Sequence, residues 1–582
     1  MSHPQLQLDG WGAPHGTCWH FAGHRETLAA YHPAEVPLLL RQAEAAAANG
    51  CYAVGFVAYE AAAALNPHLP ALPPLPGLPL AWFAIYDKRY ACSPTQQPPP
   101  NRLPPLQPTL TAEQYCQTVS ALHDAIASGE SYQVNYTFPL IGRCHETPAA
   151  RYQAMLTSQR PSFGALLDTG RYLILSASPE LFFHRQGQRI LTRPMKGTAP
   201  RGRFPQEDSV LAQTLQASAK EQAENLMIVD LLRNDLGQIA QTGSVQVAGL
   251  FELERYPTVH QMTSTVSASL LPGTDLEQIF RALFPCGSVT GAPKRRSMEL
   301  IARHEAQPRG VYCGAIGMLA PGEDALFSVA IRTLLLDRHT GLLSMGVGSG
   351  ITWDADDTAE YAECLAKAAF LDQPHPPRLL ESLRLENGRY PLLARHLERL
   401  AWSASRLGHP YNEARIKLRL QEHAATAQGV RKVRLLLASD GQPEITSEPI
   451  EPDRGPLGVA LSSQAVDPDD WSLYLKCEAR QRYDAARQEH PGADEVLLVN
   501  RYGQLTEGSY HNLVLRLGGR LVTPPLHCGL LPGVMRQELL AQEAIHEQML
   551  YPADLGQATE IWLINAVRGW RRAELMRQPV TG

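Results

Sequence analysis

Phe284-Pro-Cys-Gly-Ser-Val-Thr-Gly-Ala-Pro-Lys294 is the stretch on which the reading of the fold turns. Its two prolines fix φ and remove backbone donors, so neither a helix nor a regular strand runs through it. Its glycines lack the G-x-x-x-x-G-K-[ST] spacing of a P-loop, and Gly346-Val-Gly-Ser-Gly-Ile351 downstream lacks the G-x-G-x-x-G spacing of a dinucleotide site. Nucleotide binding is disfavoured, whereas bare glycine amides make good receivers for a carboxylate. Upstream, Lys220-Glu-Gln-Ala-Glu-Asn-Leu-Met-Ile-Val-Asp-Leu-Leu-Arg-Asn-Asp235 has helical spacing, with Glu221 and Glu224 on one face. Downstream, Glu360-Tyr-Ala-Glu-Cys-Leu-Ala-Lys367 repeats the device with Glu360 and Glu363. Two such helices could face each other across Mg²⁺, which prefers a few carboxylates plus substrate oxygens. Two solvated helix faces are the alternative on spacing alone.

The surrounding chain sets limits. At 582 residues it exceeds what one core usually organises, so two or more domains are expected. A hydrophobic share of 44% with 19% charged residues is globular rather than disordered. A net charge of −6 gives no basic footprint for nucleic acid. The ten cysteines contain no C-x-x-C pair and no compact Cys/His cluster of zinc spacing, and read as reduced thiols. A polar amino terminus and the lack of any run of about 18 apolar residues imply no signal peptide, no membrane span and a cytoplasmic location.

Proline clusters mark three seams, at Pro67–Pro79, Pro94–Pro108 and Gln373–Arg378. Only the third separates regions of different character, and it divides the chain into 1–110 and 111–372, a linker 373–378, and 379–582. In the first region Arg171–Ser176 and Leu326–Thr333 read as strands, and Lys220–Arg233 and Thr358–Leu371 as helices. In the second, Leu392–Leu407 and Val534–His546 read as helices, and Val433–Leu437 and Glu495–Val499 as strands. Both regions are mixed α+β.

Taken in order, Pro194-Met-Lys-Gly-Thr198, the first acidic helix, Phe284–Lys294, Arg309-Gly-Val-Tyr-Cys-Gly314, Gly346–Ile351 and the second acidic helix resemble the chorismate-binding enzyme family over nearly all of residues 110–372. The amino-terminal portion, with Gly55-Phe-Val-Ala-Tyr-Glu60, resembles it more loosely. The resemblance implies antiparallel sheets flanked by helices. It also implies that Gly348, Ser349 and Gly350 hold a chorismate carboxylate, assisted by Tyr312 and Arg332. Gly197, Thr198, His260, Thr290 and Lys367 would line the same pocket. Glu224 and Glu363 become direct Mg²⁺ ligands, with Glu221 and Glu360 behind them.

Lys196 sorts the family's branches. Anthranilate synthases typically carry alanine there and aminodeoxychorismate synthases lysine, whose amine would attack C2 of chorismate while the C4 hydroxyl leaves. Glu180, in Ser176-Ala-Ser-Pro-Glu-Leu181, matches the family's catalytic glutamate and would supply the proton. Gln133 stands where water-using relatives carry a lysine base, which agrees with ammonia as the nucleophile. No Gly-x-Cys-x-Gly amidotransferase segment occurs in the chain, so a separate glutamine amidotransferase subunit is the expected partner.

In the second region, Lys476 in Leu473-Tyr-Leu-Lys-Cys-Glu-Ala-Arg-Gln-Arg-Tyr483, Asp494–Asn500 and Leu505-Thr-Glu-Gly-Ser509 resemble the fold-type IV, branched-chain-aminotransferase-like family of pyridoxal-phosphate (PLP) enzymes, nearest its aminodeoxychorismate lyases. The resemblance makes Lys476 the imine lysine and Glu507 the pyridine-nitrogen partner. His396-Leu-Glu-Arg-Leu400 makes Arg399 a phosphate ligand, and Gly529–Arg536 offers Gly533 and Val534 at a helix start. Asn565 and Ala566 would complete the phosphate contacts, with alanine where relatives often place a hydroxyl. Ser382 and Arg434 are the expected substrate contacts, and a homodimer through this domain is a further expectation. Together the two regions imply amination of chorismate to aminodeoxychorismate, then elimination of pyruvate to p-aminobenzoate. An anthranilate synthase fused to an aminotransferase or to a non-catalytic module is the alternative.

Overall fold

The computed structural model describes residues 6–12, 17–92, 106–143, 147–371, 376–453 and 455–576. Much of the seam expected at Pro94–Pro108 and the first half of the linker 373–378 lie outside the described residues. Two compact units emerge. The first comprises residues 1–199 and 214–375, the second 200–213 and 376–582.

Among the described residues of the first unit, eighteen strands form one hydrogen-bonded network. The glycine strand Leu342–Ile351 runs antiparallel to Gln133–Arg143, which sets Gly348 opposite Thr137 and Gly350 opposite Asn135. The amino-terminal residues are woven into the same network, because Tyr52–Val57 pairs with Ala315–Ala320, and Leu6–Gly10 with Phe163–Asp168. Three apolar clusters fill the unit, among them an aromatic group of Phe182, Phe183, Phe280 and Phe327.

The acidic helices form as the spacing predicts. The first spans Ala219–Gly237, capped by Ser218, whose hydroxyl accepts from Glu221 N. The second spans Asp357–Ala366, capped by Asp356 onto Ala359 N at 2.8 Å. It ends five residues short of the expected Leu371, where a 3₁₀ turn takes over. The strand expected over Leu326–Thr333 divides into Asp324–Val329 and Thr333–Asp337. Arg332 sits at the break with φ +51°, a left-handed conformation that ends pairing.

The second unit holds a three-stranded antiparallel sheet, Leu379–Leu385, Arg431–Leu437 and Pro443–Pro449, and an eight-stranded mixed sheet. In the latter, Leu457–Val466 runs parallel to Glu495–Asn500. Leu393–Leu407 is a helix closed by Gly408 in the left-handed region. The helix expected over Val534–His546 stops at Ala541. Glu543 takes φ +55°, and His546 leaves to pair with Val522. Residues 200–213 pack here too: the Phe204 ring lies 5.4 Å from Tyr474, and Arg203 donates to the Pro468 carbonyl at 3.0 Å.

Candidate active sites

Lys196 projects from the strand Met195–Pro200, whose position is fixed from beneath. Asn225 Nδ2 donates to the Lys196 carbonyl at 3.3 Å, and Asn225 Oδ1 accepts from Ser264 Oγ at 2.6 Å. Burial pushes the Lys196 amine below its ordinary value, and nearby Lys367 adds to that, while Glu224, Glu180 and Glu363 pull the other way. Gly350 is close by, since a Cβ there would stand 2.7 Å from Lys196 Nζ and 2.2 Å from Gln133 Nε2. A side chain at this point of the strand would displace the ends of Lys196 and Gln133.

Glu180 is 3% exposed, and burial raises its carboxyl to about 7 against the pull of Ser288, Lys196 and the Met195 backbone. Its Oε1 is buried without a hydrogen-bond partner, as is Gln133 Oε1. Two orphaned oxygens are expensive in an apolar interior and mark a place built for a polar guest.

The carboxylates of the two acidic helices sense one another. Burial and then Glu224 raise Glu221, and burial and then Glu363 raise Glu360 to about 7. Burial also acts on Glu363, but Lys367, 2.7 Å away, outweighs it and leaves that carboxyl lowered. Hard oxygen donors crowded to the point of mutual repulsion suit Mg²⁺. Among the described residues they do not close into a three-ligand cluster within 4.8 Å. Ser349 donates to Glu360, and Lys367 donates to the Gly348 carbonyl at 2.8 Å, so the glycine strand is tethered to the second acidic helix.

The remaining pocket residues are placed as follows. Gly197 takes φ +91°, facing Glu221, and its carbonyl accepts from Gln261 Nε2 at 2.9 Å. Thr198 is exposed and bonded to Gln261, and His260 is fully buried beside it in sequence. Thr290 is buried with its hydroxyl on the Cys286 carbonyl at 3.1 Å. Tyr312 covers Gly346, where a Cβ would fall 2.0 Å from the ring. Arg332 is engaged by Gln159. Arg309, to which its motif assigns no role, organises the region: its guanidinium donates to the carbonyls of Val289 and Asn135, both at 2.7 Å, and pairs with buried Glu305.

In the second unit, a cavity of about 400 Å³ is lined by Lys476, Glu507, Arg399, Ser382, Gly533, Val534, Asn565 and Ala566. Burial, with Arg399 next, lowers the Lys476 amine to about 8, so the neutral form, though a minority, is within easy reach near physiological pH. Burial raises Glu507 to about 7, opposed by Tyr483, whose hydroxyl donates to it at 2.8 Å. A lone amine that readily reaches its nucleophilic form and a carboxyl across the same cavity fit a pyridine aldehyde, and Gly533 opens the helix Val534–Ala541 towards its phosphate. Gly533 is also forced by packing, because a Cβ would fall 1.7 Å from Asn512 Oδ1. Asn565 Oδ1 accepts from Val567 N and Arg568 N, closing the turn that presents Ala566.

Arg434 is the exception. It is exposed, paired with Glu478 at 3.0 Å, and absent from the cavity lining. Arg480 lines the cavity instead, its guanidinium 4.5 Å from the Tyr510 ring centroid. Glu381 escapes the motif reading, although it holds Arg399 through both carboxylate oxygens (2.8 and 2.6 Å) and His396 Nδ1 at 2.7 Å. Burial opposes its charge, yet Arg399 and His396 hold its carboxyl down to about 2. A signal is nonetheless present: in Leu379-Leu-Glu-Ser-Leu-Arg-Leu385 the alternation puts Glu381 on the face of Leu379, Leu383 and Leu385.

Comparisons with known proteins agree with this division. Residues 9–373 match the family described as chorismate binding enzyme, and residues 378–575 that described as amino-transferase class IV. Aminodeoxychorismate synthase component 1 of Escherichia coli is 43% identical over 265 residues, covering 45% of this chain and 57% of the relative. Aminodeoxychorismate synthase of Streptomyces griseus is 43% identical over 270 residues, covering 45% of this chain and 37% of the relative. The chain thus spans about half or less of these relatives' length. A solved structure from Bacillus anthracis, assigned as a 2,3-dihydroxybenzoate-specific isochorismate synthase, is 19% identical with a TM-score of 0.51, covering 63% of this chain and 95% of that one, a likeness of fold alone. No helix among the described residues is long and apolar enough to cross a membrane.

Proposed function

Because the chain belongs to the family of chorismate binding enzymes, we propose that it aminates chorismate to 4-amino-4-deoxychorismate in its first unit and eliminates pyruvate in its second to yield p-aminobenzoate. One observation carries the first step: the buried amine of Lys196 lies near enough to Glu180 for each to act on the other's charge, and burial raises that carboxyl to about 7. In this reading neutral Lys196 attacks C2, both ring double bonds shift by one position, and the C4–O bond breaks as Glu180 gives its proton to the departing hydroxyl. Ammonia then adds at C4, the C2–N bond breaks, and the released amine of Lys196 is restored. Gln133 Oε1, buried and unpartnered, offers an acceptor for the incoming N–H and cannot itself act as a base for water.

Glu224 and Glu363, backed by Glu221 and Glu360, would hold Mg²⁺, whose charge would neutralise a substrate carboxylate. A separate glutamine amidotransferase would supply ammonia, with free ammonium as a substitute.

In the second unit, PLP would be held by Lys476, Glu507, Arg399 and the amides of Gly533 and Val534, and would supply an electron sink. Lys476 would move the proton lost from C4 of the substrate, and Glu381 keeps Arg399 aligned. Ser382 lines the same cavity and would assist that proton transfer, while Arg480 suits recognition of a substrate carboxylate. The test is direct: the purified chain is given chorismate, Mg²⁺ and ammonium, and the products are separated. p-Aminobenzoate with equimolar pyruvate is expected. Anthranilate would overturn the first step, and accumulation of aminodeoxychorismate with PLP present would overturn the second.

A further inference from the structure

The cysteines carry no zinc spacing in sequence, but the sheet assembles one site that the linear order hides. Cys18 and His20 lie two residues apart on the strand Cys18–Ala30 and so leave the same face. The antiparallel register sets Cys92, the last residue of Ala81–Cys92, directly opposite Cys18. On the other flank of Cys18 the partner is Asp9. The Cys18 and Cys92 sulfurs are 3.7 Å apart, and both, with a ring nitrogen of His20, lie within 4.8 Å of one another.

Two thiolates, each about 2.3 Å from a tetrahedral zinc ion, stand about 3.8 Å apart, and the observed separation matches that edge. A disulfide would need the sulfurs to close to about 2.05 Å. A second, independent observation points the same way: His20 Nε2 is buried and has no hydrogen-bond partner. A nitrogen so placed lacks either a donor or an ion.

We propose that Cys18, His20 and Cys92 form a binding site for a soft divalent cation, Zn²⁺ by its donor set. Two sulfurs and an imidazole disfavour Mg²⁺, which separates this site chemically from the four glutamates of the catalytic pocket. On binding, each thiol loses its proton to solvent and His20 contributes a nitrogen lone pair, so two protons are released per ion. Water takes the fourth position. Asp9, held by Tyr152 OH at 2.6 Å and Gln7 Nε2 at 2.9 Å, stands as an outer carboxylate rather than a ligand. The ion would fasten the start of one strand to the end of another.

The experiment uses the full chain, reduced, stripped of metal and titrated with Co²⁺. One equivalent should give thiolate-to-cobalt charge-transfer bands in the near ultraviolet with the intense visible bands of four-coordinate cobalt, both abolished by Zn²⁺. Cobalt held by carboxylates gives no thiolate band, so binding at the glutamates is not mistaken for it. Cys18→Ser and Cys92→Ser should each remove the charge-transfer signal while circular dichroism and ammonia-dependent turnover persist. His20→Ala should weaken Co²⁺ binding tenfold or more. Thiolate bands that survive in either serine variant, or a reduced wild-type chain that shows none, overturn the proposal. So does a Cys18–Cys92 disulfide as the resting form of a chain that, once reduced, takes up no cobalt.

Discussion

In the proposed first step Lys196 would be the nucleophile and Glu180 the proton donor, and their surroundings would set its pH dependence. Glu180 must be protonated to act, and burial raises it to about 7. Turnover at a fixed concentration of NH₃ should therefore fall as pH rises through about 7. Glu180→Gln should lower kcat by about 10²–10⁴-fold and remove that limb, a result read from a pH–rate profile. Gly350→Ala should also lower turnover, because the new methyl would push the ends of two side chains, Lys196 Nζ and Gln133 Nε2, out of their places. Lowered turnover with unchanged thermal stability would be the signature. In the second unit, Glu381→Gln leaves Arg399 buried without its counter-charge and should cost about 3–5 kcal/mol in a denaturant titration. The sign with pH follows from a carboxyl lowered to about 2: its contribution is complete above the ordinary value near 4.5 and is lost as pH falls towards 2. Lys196 and Lys476 are legible in sequence because short motifs surround them. Asn225 and Arg309 are not, and strand alternation marks Glu381 only as inward-facing, because all three act on backbone or on another side chain and no motif spacing records a partner that only the folded chain supplies.

The acidic helices are the most legible elements. Their i,i+3 carboxylates mark a face by spacing alone, although spacing does not separate an ion site from a solvated surface. Burial raises both Glu221 and Glu360, and carboxylates across the gap add to it, Glu363 on Glu221 and Glu224 on Glu360, which solvated faces would lack. Glu224→Gln or Glu363→Gln should raise the Mg²⁺ concentration for half-maximal amination by tenfold or more while the ordered helices persist, measured by Mg²⁺ titration of initial rate alongside circular dichroism. Element ends are less legible. Helical periodicity continues past Ala541, but Glu543 and the pairing of His546 with Val522 end the helix, and that competition is tertiary. The strand broken at Arg332 is the same lesson, since an apolar run cannot announce a left-handed residue within it.

At the scale of the whole molecule, the main division is legible from proline and from the change of chemistry around residue 375, but the second unit's claim on residues 200–213 is not. That segment follows directly on the strand of Lys196, and nothing in its composition marks it as belonging elsewhere. Phe204→Ala should destabilise the second unit by about 1–2 kcal/mol through lost aromatic packing, measured by the midpoint at which PLP is released on heating.

Cloning at the linker would therefore cut the gene in a place where the fold does not part. A piece encoding 376–582 starts life with a notch where fourteen residues should lie, and one encoding 1–375 carries an orphaned stretch of sequence with no seat. The separated halves become a complementation pair, and a synthetic peptide of residues 200–213 is the natural missing part to hand back to the shorter one.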